Sequence, residues 1–281
     1  MPKSNLNICF VGGDKRQKYA ARFLSKHAKI SAAGECFSGC PDMNYHESPV
    51  KALYGADVIV LPLPASKVTA AADFDAVIEV AKKNGAYVLG GLLPTYMKDI
   101  MDSSGIHYAD YYEDECFTLR NAYLTAEGAL NIIMNELETD IKSTQIAVLG
   151  YGRIGSALGE MLSANGVDVT VYARKREALT LASERGLGVS FISGDIKIEG
   201  DVIINTVPSR IISNEQLLNL DDGTLLIELA SAPGGFEHEV AEQCGLKVIK
   251  AGGLPGRYAP ISAGKAVADT LLTILEREAL L

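Results

Sequence analysis

One stretch constrains this chain more than any other: Ile146-Ala147-Val148-Leu149-Gly150-Tyr151-Gly152-Arg153-Ile154-Gly155, in which an apolar run enters G-x-G-x-x-G and leaves it as a helix, Ser156 to Ala164. Strands of this kind alternate with helices along the chain, which argues for a parallel sheet covered on both faces. The first glycine permits the tight turn, the second lets backbone amides approach a pyrophosphate, and the third lets the helix pack closely on the strand. The first N–H groups of the helix lack intrahelical partners and are free for the anion. A turn without a ligand would use the same glycines, but the strand before and the helix after favour a dinucleotide. Gly150, Gly152, Arg153, Ile154 and Gly155 are its candidate contacts.

The next strand, Val167 to Tyr172, ends about 20 residues after the motif, where an NAD-specific domain carries an acid for the ribose 2′-hydroxyl. Here the chain reads Ala173-Arg174-Lys175-Arg176. Without the acid there is no repulsion, and Arg174 with Lys175 can pair with a 2′-phosphate, so NADP is favoured over NAD. The plain alternative is a solvated basic helix start.

Strand-like and helix-like segments alternate along the chain. The first half reads as a strand Asn5 to Val11, a turn Gly12-Gly13, a helix Asp14 to Lys26, a strand Asp57 to Leu63, a helix Phe74 to Asn84, and a strand Ala86 to Leu89. Pro94 to Ser104 and Ile106 to Ala109 complete it. The periodicity lapses between Tyr111 and Thr125, and Thr125 then reads as the cap of a helix to about Leu137, with Glu127 in its first turn. Strands follow at Gln145 to Leu149, Val167 to Tyr172, Val189 to Ile192, Asp201 to Thr206, Thr224 to Leu229 and Leu246 to Lys250, and a helix from Ser262 to about Glu278 closes the chain.

This alternation predicts an α/β protein of two doubly wound, Rossmann-like domains with a cleft between them, a hydroxyacid-dehydrogenase-like architecture. Residues 1–120 with the closing helix 262–281 are expected to form a flavodoxin-like substrate domain, and residues 121–261 the NADP-binding domain. The closing helix carries Val267, Leu271, Leu272 and Leu275 at helical spacing and needs a surface to cover them. The first glycine turn lacks the third glycine and places Asp14 at the helix start, where a carboxylate would repel a pyrophosphate. That half is therefore assigned to substrate.

At 281 residues, with 48% hydrophobic and 22% charged residues, the chain has material for two cores. The net charge of −9 and the lack of a basic stripe argue against nucleic acid and anionic membranes. No apolar run reaches the ~20 residues of a membrane span and no signal peptide is evident, so a cytoplasmic protein is expected. Five scattered cysteines do not suggest a disulfide framework, and Cys36 with Cys40 lacks the partners for a zinc site. No metal is expected.

Ligands of open α/β sheets bind at the carboxyl ends of the strands. Asp14 and Arg16, then Ser66, stand there in the first half. Thr206-Val207-Pro208-Ser209, the loop with Ser231, and the loop ending in Arg257 stand there in the second. Glycine and proline in such turns have a plain structural use, but they recur at each strand end. None of the four histidines lies between Gly252 and Pro260, where a lactate-type enzyme would carry its acid, and His238 reads as a surface residue on a helix Glu237 to Cys244.

Taken in order, Gly12-Gly13-Asp14-x-Arg16-Gln17, the Gly150 motif, Asn205-Thr206-x-Pro208-Ser209, Ala230-Ser231-x-Pro233-Gly234-Gly235 and Gly253-Leu254-Pro255-Gly256-x-x-Ala259-Pro260 resemble the A subunits of dipicolinate synthases across nearly the whole chain. Ala232 departs from that pattern, which has Arg there. The resemblance implies oxidation of dihydrodipicolinate to dipicolinate with NADP+, in the mother cell of a sporulating bacterium, together with a smaller flavoprotein-like B subunit. It leaves open a homo-oligomer, and also an NADP-binding subunit with little activity of its own. Another two-domain dehydrogenase is a further alternative, disfavoured by the missing His. For a substrate with two carboxylates, Arg16 and Arg257 are candidate clamps, with Asp14 beside them and Ser66, Ser209 and Ser231 as donors. Glu127 is a candidate proton acceptor, although a helix carboxylate needs no such role.

Overall fold

The computed structural model describes residues 6–68, 71–193 and 196–281. Asn5, the first residue expected in the opening strand, lies outside them. Two compact units result: Met1–Asn121 with Pro255–Leu281, and Ala122–Leu254. The expected boundary at residue 261 is thus displaced, and residues 255–261 group with the first unit.

The first unit holds β1 (Asn7–Val11), β2 (Lys29–Ala33), β3 (Asn44–His46), β4 (Val58–Val60), β5 (Tyr87–Gly90) and β6 (Tyr108–Asp110), in the order β3-β2-β1-β4-β5-β6. The second holds β7 (Gln145–Leu149), β8 (Asp168–Ala173), β9 (Gly188–Phe191), β10 (Val202–Asn205), β11 (Leu225–Glu228) and β12 (Lys247–Lys250), ordered β12-β11-β10-β7-β8-β9. All pairings are parallel. Each sheet therefore reverses its winding between its first and fourth strands, at β1/β4 and β7/β10, where such sheets open a ligand crevice.

The strand sequences explain the layering. Ile8 and Phe10 of β1 and Val58 and Val60 of β4 enter one core of the first sheet, whereas Cys9, Val11 and Ile59 enter the core on its other face. In the second sheet Ile146 and Val148 face one core and Ala147 and Leu149 the other. With successive side chains pointing to opposite faces and both faces covered, these strands must be apolar throughout.

The closing helix spans Pro260–Arg277 and lies against the Lys15–Leu24 helix of the same unit. Val267, Leu271 and Leu275 are fully buried there, and Leu272 is partly buried against the same core. Gly264 allows the approach, since a Cβ on it would stand 2.5 Å from Tyr19 Cβ and 2.8 Å from the Arg16 carbonyl oxygen.

Thr125 is not a helix cap. It is buried within one 22-residue helix, Glu115–Glu136, whose start is capped instead by the Asp114 carboxylate, accepting from the Phe117 amide at 2.8 Å. Among the described residues no helix is long and apolar enough to cross a membrane.

Candidate functional site

In the second unit, β7 runs into Gly150, whose φ of +93° lies in the region open to glycine. A Cβ on Gly150 would collide with Val207 and Thr206, and one on Gly155 with the Gly150 carbonyl oxygen, so both glycines answer to close packing. Gly152 differs: nothing stands within 4 Å of where its Cβ would be. It precedes the Arg153–Ala164 helix, which carries no side-chain cap, so the first turn of that helix, beginning with Arg153 and Ile154, starts beside that open space. The space, the amides and the positive helix end fit a pyrophosphate.

A cavity of ≈330 Å³ begins at Gly150 and Gly152 and continues over Ala173, Ile192 and Ile211, where the adjoining nucleoside would lie. Arg174 and Lys175 line it as well, and so does Val207. Arg174 Nη2 donates to the Arg210 carbonyl at 3.1 Å, while Lys175 opens the Arg176–Glu184 helix with no side-chain cap. Arg176 is directed elsewhere, with its guanidinium 5.2 Å from the centre of the Phe191 ring. The structure thus gathers Arg174 and Lys175 with the glycine turn. The Thr206 hydroxyl donates to the Leu149 carbonyl at 2.8 Å and ties the Thr206-Val207-Pro208 loop to the end of β7.

Two loops beyond β10 and β11 are tied together by Asn205, which opens the Asn205-Thr206-x-Pro208-Ser209 motif, and by Glu228, which no sequence pattern marked. Asn205 and Glu228 are register partners and almost wholly buried. Glu228 Oε1 accepts from Asn205 Nδ2 at 2.6 Å and from the Ala230 amide at 3.0 Å, and Oε2 accepts from the Gly235 amide at 2.8 Å. Asn205 also bonds both backbone groups of Val207. Gly234 and Gly235 are required here, because a Cβ on either would press on Glu228 or Asn205. The loops carrying Ser209 and exposed Ser231 are thereby held from beneath.

His238 is not the plain surface residue expected. Its Nε2 is buried, 3.5 Å from Glu228 Oε2, and its ring meets Phe236 edge-on at 5.0 Å. Glu127 lies on the exposed side of the Glu115–Glu136 helix, well past its first turn, with no hydrogen-bond or ion-pair partner among the described residues.

In the first unit, Asp14 caps the Lys15–Leu24 helix in a reciprocal box with Gln17. Its carboxylate occupies the place a pyrophosphate would take. Arg16, expected as a ligand clamp, is only 6% exposed and already engaged: its guanidinium bonds Asp14, as close as 2.7 Å, and donates to the Leu63 carbonyl at 2.8 Å. Burial raises the Asp14 pKa, but the hydrogen bonds and charge of Arg16, with a smaller contribution from Lys67, hold it below the ordinary carboxylate value.

A second cavity, ≈430 Å³, is lined by Gly13, Asp14, Leu63, Ser66 and Lys67 at the carboxyl ends of β1 and β4. Lys67 escaped the sequence reading because a lone lysine in a turn carries no pattern. Gly256 comes close to the same corner: its Cβ would stand 3.1 Å from Arg16 Nε and from Asp14 Oδ2. Arg257 follows it, exposed, with its guanidinium 5.6 Å from the centre of the Tyr258 ring. Among the described residues no group of three His, Cys, Asp or Glu side chains is placed to hold a metal, and Cys36 and Cys40 are free thiols.

Residues 7–112 match the family model of the N-terminal domain of the dipicolinate synthase A subunit. Residues 124–244 match that of the NAD binding domain of D-isomer specific 2-hydroxyacid dehydrogenases. The second unit is accordingly a nicotinamide-dinucleotide-binding domain of the oxidoreductase type. A curated relative, the A subunit of dipicolinate synthase from Bacillus subtilis (strain 168), is 30% identical, the match spanning 97% of this chain and 96% of the relative. The crystal structure of the dipicolinate synthase A subunit from Bacillus halodurans is similar with a TM-score of 0.82 and 28% identity, covering 96% of this chain and 98% of that one. Its counterpart from Bacillus subtilis gives a TM-score of 0.82 and 26% identity, covering 98% and 97%. With the family's own N-terminal domain model matched and a relative 30% identical over 97% of its length, this chain belongs to the family of dipicolinate synthase A subunits.

Proposed function

We propose that this chain oxidises dihydrodipicolinate to pyridine-2,6-dicarboxylate with NADP+, together with a smaller flavoprotein-like B subunit, in the mother cell of a sporulating bacterium. The observation that carries the cofactor choice is the cavity joining the glycine turn to Arg174 and Lys175, with no acid at the end of β8. An acid there would hydrogen-bond an unphosphorylated ribose; two cations in its place favour a 2′-phosphate.

When bound, the cofactor supplies a two-electron acceptor; the remaining work belongs to the protein. The amides after Gly152 receive the pyrophosphate, and Arg174 and Lys175 receive the 2′-phosphate. Asn205 and Glu228 keep the Thr206-Val207-Pro208 and Ala230–Gly235 loops fixed at the strand ends, where Ser209 and Ser231 stand as hydroxyl donors. Fixed donors of this kind cost little reorganisation during reaction. In the first unit Ser66 and Arg257 serve the substrate, while Asp14 and Arg16 hold each other in place. Loss of a hydride and a proton makes the ring aromatic, so no histidine has to polarise a carbonyl.

The test is an assay of the purified chain with enzymatically generated dihydrodipicolinate and NADP+ or NAD+, with and without the B subunit. Formation of NADPH and pyridine-2,6-dicarboxylate in equal amounts supports the proposal. Activity that appears only with the B subunit would favour a cofactor-binding subunit completed by its partner, and activity with NAD+ alone would remove the NADP assignment.

A further inference from the structure

We propose that Lys67, with the Ser66 hydroxyl, holds a carboxylate of the ligand in the cavity at the carboxyl ends of β1 and β4. This rests on the reading of the first unit as the substrate-binding half, and it moves the cationic role away from Arg16.

Two of the charged groups at this cavity are already committed to each other. Arg16 makes three hydrogen bonds to the Asp14 carboxylate and one to the Leu63 carbonyl oxygen. Its side chain is 7% exposed. Turning it towards a ligand would strip Asp14 of its counter-charge and leave a buried acceptor unmet, which is costly. Asp14 in turn is committed to Arg16 and to the Arg16 amide, at 2.8 Å. Their opposite charges cancel.

Lys67 is left as the uncompensated charge. It is exposed, lines the cavity, and forms no ion pair among the described residues, yet it stands near enough to Asp14 to help keep that carboxyl ionised. Ser66 beside it is also exposed and lines the same cavity. Gly13, on the same cavity, presents bare backbone at φ +118°, and a Cβ there would come within 2.8 Å of Gln17. A hydroxyl, an ammonium and a side-chain-free turn around ≈430 Å³ suit a small carboxylate, whose charge completes what Asp14 and Arg16 leave open. The ammonium is a compact point charge on a flexible stem, so it fits one carboxylate without a fixed bidentate geometry.

The experiment is calorimetry on the full-length chain saturated with NADPH, titrated with pyridine-2,6-dicarboxylate and, separately, with pyruvate as a simple carboxylate. Wild type is compared with Lys67→Ala and Lys67→Arg, each checked for an unchanged melting curve. The expected result is a loss of about tenfold or more in dicarboxylate affinity for Lys67→Ala, as for a missing charge-assisted contact, with much of it restored in Lys67→Arg. NADPH affinity, measured alone, should stay within about twofold, since the two sites belong to different units. Wild-type affinity in Lys67→Ala would overturn the proposal, as would a wild type that binds neither carboxylate. Lys67-dependent binding of pyruvate with no binding of pyridine-2,6-dicarboxylate would overturn the substrate reading while upholding this carboxylate site.

Discussion

Asn205 Nδ2 lies 2.6 Å from Glu228 Oε1, joining two buried side chains that stand side by side at the carboxyl ends of β10 and β11. The other hydrogen bonds of the pair go to the two loops that follow, at Val207, Ala230 and Gly235. Glu228→Gln keeps the shape but turns an amide NH2 against a backbone donor, whichever way it is flipped. The expected cost is about 1 to 3 kcal/mol of stability, read from urea unfolding. An unchanged unfolding midpoint would show that the clamp does not depend on a carboxylate.

Gly152→Val tests the cofactor turn without testing the fold. The new side chain meets no protein atom near its Cβ and enters the space in front of the helix amides. A folded protein with no measurable NADPH binding is expected; retained affinity would place the dinucleotide elsewhere.

NADPH should bind at least tenfold more tightly than NADH, about 1.4 kcal/mol. Fluorescence titration of both cofactors measures it. The preference should disappear in the double variant Arg174→Ala, Lys175→Ala, and its survival there would release those two side chains from the 2′-phosphate.

Asp14 links helix capping to pH. Its folded pKa is lowered, so the stability it contributes is present above the unfolded value, near 3.9, and is lost as pH falls through the lower folded value. Asp14→Asn should cost about 1 kcal/mol at pH 7, discounted for partial exposure of the carboxylate. The gap from wild type should close as pH drops below about 3.9. A gap independent of pH would mean that the Asp14–Arg16 charges do not stabilise the fold.

Local chemistry made much of this legible in the sequence. The Gly150 motif, the basic end of β8 and the apolar face of the last helix each lie within one short segment, so residue type and spacing reveal them. Two strands escaped notice: β2 ends in the small residues Ser31, Ala32 and Ala33, and β3 has only three residues, neither with a clear alternation. Long-range pairs were also hidden. Arg16 reads as a free cation until the Leu63 carbonyl, 47 positions away, is seen to accept from it. Glu228 looks like the end of a strand until Asn205, 23 positions earlier, becomes its neighbour. Thr125 misled because polar residues on the exposed side of the long helix hid its first turns, and because the true cap, Asp114, stands well upstream.

Hydride transfer by this chain from a dihydropyridine dicarboxylate to NADP+ is tested most directly by following the hydrogen itself. The measurement is mass spectrometry of the cofactor after turnover of dihydrodipicolinate deuterated at its saturated ring carbons, in the presence of the B subunit. The expected result is one deuterium in each NADPH formed and one pyridine-2,6-dicarboxylate for each NADPH. Dipicolinate formed while NADP+ stays oxidised, or NADPH formed without the label, would contradict it.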